Sequence, residues 1–112
     1  MILINDALLS TAYKKKVDLG FSNRKYGGSR CISIIGVLVD EETVAFEIPK
    51  VLDPDESVDA HWTPLIQFSP LSGVDEQLVF VAGGENAKLI PADLTVRIVK
   101  SITSSNIGVA LL

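Results

Sequence analysis

Apolar residues fall at every second position in short runs along this chain, and each run ends in a cluster of Gly, Pro, Ser or Asp. The clearest is "TVAFEIP" (43–49), where Val44, Phe46 and Ile48 alternate with Ala45 and Glu47, the period of a strand with one face on a core. "CISIIGVL" (31–38) precedes it across the acidic turn "VDEE", and the two read as a hairpin. "HWTPLIQF" (61–68) reads as a strand that Pro64 places at an edge or bulge, because proline has no ladder donor. After the turn "SPLSG", "EQLVFVA" (76–82) and the short return "AKLI" (87–90) flank the tight turn "GGEN". Last come "LTVRIVK", with Leu94, Val96 and Ile98 inward and Thr95, Arg97 and Val99 outward, and "IGVALL", joined through "SITSSN".

Seven to eight strands with turn signals at this spacing predict an all-β fold, an antiparallel β-sandwich of jelly-roll-like type. The segment "DALLSTAYKKKVDLG" predicts either a short helix capped by Asp6 or an extended arm leading to a first strand at 17–19. The domain reading is therefore an N-terminal arm over 1–16 and a sandwich over 17–112. Composition agrees: Val, Ile and Thr make up a quarter of the chain and suit pleated surfaces better than helices.

Charge and cysteine content narrow the function classes. Ten Lys+Arg against 14 Asp+Glu give a net charge of −4, the wrong sign for general phosphate-backbone binding, so no nucleic-acid partner is expected. A single cysteine, Cys31, allows no internal disulfide and points to a reducing compartment. The opening "MILINDALLS" lacks a positive leader, and no stretch approaches the roughly 18 apolar residues of a membrane span, so no membrane partner is expected.

Candidate chemistry is sparse. His61 is the only histidine, which rules out two-His metal sites, and a Cys31–His61 nucleophile and base pair has nothing local to activate the thiol. Asp53, Asp55, Glu56 and Asp59 crowd one loop and offer oxygen ligands to Ca²⁺, but without the spacing of an EF-hand; a plain acidic turn is the simpler reading. No catalytic residue, cofactor or metal is expected. "YKKK" (13–16) with Arg24, Lys25 and Arg30 places six of the ten cations in the first 30 residues, an asymmetry suited to docking on an acidic neighbour. Trp62, Phe46, Phe68 and Phe80 read as core or inter-sheet packing; an exposed Trp62 beside the acidic loop would instead suit sugar stacking or a protein contact.

The order of these features resembles small β-sandwich modules among the virion proteins of tailed bacteriophages. The resemblance rests on "VDLG" (17–20), the "TVAFEI" strand, the Asp/Ser loop, the W-x-P-L segment at 62–65, P-x-x-L-T-V-R-I at 91–98 and S-x-x-I-G-V-A-L at 104–111. This sequence departs from the glycine-rich loops usual in such modules by carrying "DPDESVDA". The resemblance implies a non-enzymatic capsid decoration or cement protein, or a tail or fibre component. It also implies a homo-oligomer, often a trimer, bound to the major capsid or another virion protein; the protein would be made in the host cytoplasm and located in the virion. A carbohydrate-binding or adhesive module using Trp62 is the rival reading. The residues expected to contact partners are Tyr13, Lys14, Lys15 and Lys16 in the arm, Trp62, and Val109 and Leu111 in the final strand, taken to be a sheet edge.

Overall fold

The computed structural model describes residues 2–4, 12–19, 29–69, 72–91, 94–101 and 105–111. The helix cap expected at Asp6 and the cations Arg24 and Lys25 lie outside the described residues. In chain order the strands are β1 (Ile2–Ile4), β2 (Tyr13–Asp18), β3 (Ser29–Ile35), β4 (Thr43–Pro49), β5 (Trp62–Pro64), β6 (Ile66–Ser69), β7 (Val74–Gln77), β8 (Val79–Val81), β9 (Ala87–Pro91), β10 (Thr95–Lys100) and β11 (Gly108–Leu111). A 3₁₀ turn at Asp59–His61 interrupts them. All the strand pairs are antiparallel.

The first sheet runs β1-β11-β3-β9 and the second β2-β10-β4-β5, with β8 also on β4. Period-two patterning sends one face of each sheet to a common core, so the arrangement is sandwich-like. Ile32, Ile90, Val109 and Leu111 from the first sheet join Val44, Phe46, Phe80, Val96 and Ile98 from the second, all with 0% exposure. Phe46 and Phe80 meet edge to face, with ring centroids 5.8 Å apart and planes at 69°.

Connectivity departs from the sequence reading in one consistent way. The segments 31–38 and 43–49 do not form a hairpin, because β3 lies in the first sheet and β4 in the second. β8 and β9 are likewise split between the sheets, as are β10 and β11. Each connection has residues enough to cross the roughly 10 Å between stacked sheets, and crossing lets both strands turn their apolar alternation onto the same core. The acidic turn itself is present, with the Glu42 N–H donating to Val39 O at 3.0 Å and Glu41 at φ 71°.

Two expected single strands are each broken by a leucine. The run 61–68 divides at Leu65 into β5 and β6, and 76–82 divides at Leu78 into β7 and β8. Three backbone bonds join at this point: Leu65 N–H to Phe46 O (2.9 Å), Phe46 N–H to Leu78 O (3.1 Å) and Leu78 N–H to Leu65 O (2.8 Å). β5 and β8 thus share one edge of β4, with Pro64 on that outer strand as expected, while β6 and β7 leave as a separate two-stranded hairpin. Phe68 rides on this hairpin at 62% exposure and is not a core residue.

Within 1–16 the described residues 2–4 and 13–16 are strand. Ile2–Ile4 pairs with β11, and Tyr13–Lys16 forms most of β2, laid along β10. The expected first strand at 17–19 therefore begins four residues earlier. "IGVALL" is not a sheet edge either, since β11 is flanked by β1 and β3.

Candidate functional site

Polar side chains converge where loop 50–61 folds over the outer face of the second sheet. The sheet register sets up the cluster: Arg97 on β10 lies opposite Glu47 on β4, and both alternate with core residues, so both face away from the core. Arg97 is nevertheless only 3% exposed. Its Nε donates to Glu47 Oε1 at 2.7 Å, its Nη2 lies 2.6 Å from the same oxygen, and its Nη1 reaches Asp59 Oδ1 at 2.9 Å and Glu56 O at 3.1 Å. The guanidinium carbon sits 5.5 Å from the centroid of the Trp62 ring. Burial alone would lower the Arg97 pKa, but the hydrogen bonds and charges of Asp59 and Glu47 outweigh it and the net shift is upward.

The rest of the loop is tied down by its own polar groups. Trp62 Nε1 donates to Asp55 O at 2.9 Å, and the Asp55 N–H donates to His61 Nδ1 at 2.9 Å. Asp55 Oδ1 accepts from both the N–H (2.8 Å) and the Oγ (2.7 Å) of Ser57, which holds its carboxyl below the usual carboxylate range. Lys50 N–H donates to His61 O at 2.7 Å and closes the loop at its base.

The outer lip of the loop lies against β2. Lys14 Nζ bonds Asp59 Oδ1 at 2.8 Å, Lys16 Nζ bonds Pro54 O at 3.1 Å, and the Lys16 N–H donates to Glu56 Oε2 at 2.6 Å. Lys14 first, and Arg97 second, hold the Asp59 carboxyl below its ordinary value.

These placements settle where each predicted side chain lies. Lys14 and Lys16 meet the chain's own acidic loop, and Lys15 is exposed between them. Tyr13 is half-buried and donates to Ile107 O at 3.0 Å; burial raises its pKa to about 12. Trp62 is 4% exposed, but it is buried beneath the loop on the outer face rather than between the sheets. Val109 and Leu111 pack in the core. Cys31 stands on β3 of the first sheet and His61 in the loop over the second, and no contact joins them. Of the four loop carboxylates, Asp55, Glu56 and Asp59 turn to separate partners, and among the described residues no three His, Cys, Asp or Glu side chains are placed to hold one metal ion.

The sequence reading missed the part played by Arg97 and Glu47. Opposite charges at outward positions of two strands were the available signal, but using it requires knowing that β10 and β4 are neighbours. A second surface also went unread. The β6–β7 hairpin leaves Ile66, Phe68 and Val74 more than half exposed. Between it and β9 lies a groove of about 650 Å³ lined by Cys31, Gln67, Phe68, Glu76, Lys88 and Leu89, spanned where Gln67 Nε2 donates to Leu89 O at 2.8 Å.

In comparisons with known proteins, no family model, no curated protein and no solved structure matches this chain.

Proposed function

We propose that this chain is a non-enzymatic structural protein of a virion, a capsid decoration or cement protein that folds as a jelly-roll-like sandwich and works by adhering to copies of itself and to the shell. The observation that carries the reading is the β6–β7 hairpin: a two-stranded ribbon outside both main sheets, with Ile66 at 60%, Phe68 at 62% and Val74 at 56% exposure. A two-stranded hairpin is marginal alone, and large exposed apolar side chains grouped on one projection are the usual mark of a contact surface. On a repeating lattice, modest contacts of this kind add up to firm attachment. A tail or fibre component would use the same surface in a different particle.

Detection of the chain in purified virions, together with an oligomer by light scattering in solution, is the expected result. A monomer absent from particles overturns the reading. A specific observation also reshapes the carbohydrate alternative: Trp62 lies under the acidic loop against Arg97, whereas Phe68 borders an open groove with Gln67 and Glu76, the mixture of ring and polar groups that saccharides favour. Titration with a glycan panel separates the two, since a cement protein binds no sugar there.

A further inference from the structure

Two of the three lysines of β2 meet the acidic loop of their own chain, Lys14 through its side chain and Lys16 through both its backbone N–H and its Nζ, and the manner of that meeting implies more than loop anchoring. Among the described residues β2 is one of the edge strands of the second sheet. In an antiparallel pair, alternate residues turn their peptide groups away from the partner strand. Lys16 does so, because its N–H reaches Glu56 across the outer edge; by the same period the peptide group of Lys14 points that way too. Pro54 and Glu56 lie at Lys16 while Asp59 lies at Lys14, so the loop runs antiparallel to β2 along this edge. It takes the path of an added strand without being one, since Pro54 and the 3₁₀ turn at Asp59–His61 keep it out of ladder geometry. A carboxylate oxygen supplies the acceptor that a neighbouring strand would supply through its backbone.

We propose that the outer edge of β2 is a docking edge for an extended acidic segment of a partner protein, and that loop 50–61 is its resident occupant, an autoinhibitory strap whose outer lip such a segment displaces. Charge complementarity identifies the partner. Lys14, Lys15 and Lys16 stand along the edge, and the groups now satisfying it are carboxylates and one carbonyl. A second copy of β2 is a poor occupant, because antiparallel pairing would set lysine against lysine, the means by which natural sheets keep edges from self-pairing. An acidic strand retains the charge match and adds a ladder of backbone bonds that the strap does not make with β2.

The lip is built to yield. The Lys14–Asp59 pair has side chains 48% and 68% exposed, in the range where ion pairs exchange readily with solvent. The anchors are deeper: Trp62 Nε1 on Asp55 O and the 3%-exposed Arg97 guanidinium on Glu56 O hold the base of the strap while the Glu56 side chain swings out and Asp59 gives up Lys14 but keeps its 2.9 Å bond to Arg97. This inference does not rest on the virion reading, and it stands or falls separately.

The test follows amide exchange at Lys16 and the fluorescence of Trp62, the only tryptophan. The full chain is compared with Glu56→Ala and with Glu56→Ala/Asp59→Ala, in the presence of short synthetic peptides of alternating Glu and Val, Gln and Val, or Lys and Val. In a strap variant Lys16 exchange is expected to speed up about tenfold or more, and the Glu–Val peptide to restore protection where the other two do not. Should the double variant unfold, the single variant decides, because it removes one side chain at the lip and leaves Arg97 and Trp62 in place. Unchanged Lys16 exchange, equal protection by the Gln–Val peptide, or self-association of the variants without peptide each overturns the proposal.

Discussion

The backbone N–H of Lys16 donates to Glu56 Oε2 at 2.6 Å across a sequence separation of 40 residues. That bond joins the most basic run of the chain to its most acidic loop, and the two neutralise each other within one molecule. A concentration of cations near one end of a sequence suggests an external acidic partner. Here the first partner is internal, and any outside one must compete with it.

Arg97 is the keystone of the loop. Arg97→Ala would leave Glu47 half-buried without its guanidinium and take away the bonds to Asp59 and Glu56 O; the expected loss is about 3 kcal/mol in urea unfolding. Arg97→Lys cannot reproduce the fork and is expected to lose at least about 1 kcal/mol. Trp62 emission should shift to the red in both variants. A loss below about 0.5 kcal/mol for the alanine variant would mean that the cluster contributes little to stability.

The acid limb of stability should trace to the loop. Asp59 and Asp55 both have folded pKa values depressed below the unfolded ones, Asp59 by Lys14 and Arg97 and Asp55 by Ser57. Such groups supply stability that is present above the unfolded value, near 3.9, and lost as pH falls through the folded one. Melting temperature is therefore expected to hold steady down to about pH 4.5 and to drop below about pH 4, with a shallower drop in Asp59→Asn. An identical acid limb in Asp59→Asn would remove Asp59 from the account.

At the alkaline end Tyr13 takes over. Burial favours the neutral phenol and raises its pKa to about 12, so its contribution is complete below the unfolded value near 10 and lost as pH rises toward 12. Tyr13→Phe should abolish this alkaline limb and, by removing the bond to Ile107 O, cost about 1 kcal/mol at neutral pH. Ultraviolet titration of the wild type checks it, since a phenol ionising near 10 would contradict the burial.

Two phenylalanines that look alike in the sequence should behave differently. Phe46→Ala empties a fully buried site against Phe80 and is expected to cost about 4 kcal/mol, whereas Phe68→Ala on the exposed hairpin should stay within about 0.5 kcal/mol. Chemical denaturation of the pair decides this, and equal losses would place Phe68 in a core.

Gly36 marks the departure of the chain from β3 toward the second sheet. It sits at φ +111°, and a Cβ there would lie 2.7 Å from Asn106 O, a backbone atom with little room to move. Gly36→Ala is expected to destabilise by about 2 kcal/mol. A neutral effect would show that this connection adopts another path.

By itself the sequence determined the class of structure and the identity of much of the core. Alternation in 43–49 and 94–100 requires strands with Val44, Phe46, Val96 and Ile98 on one side, because period two permits no other burial of those side chains, and Pro64 had to lie at an edge for want of an N–H. Only the tertiary structure decided which strands became neighbours. A turn of several residues can fold a strand back onto its own sheet or carry it to the opposite one, and local propensity does not choose between them; the choice comes from closing a single core between two faces. The same decision paired a buried Arg97 with a half-buried Glu47, laid the acidic loop on the lysines of β2 and put Phe68 on a projecting hairpin. These are relations across sequence separations of tens of residues, which no local pattern encodes.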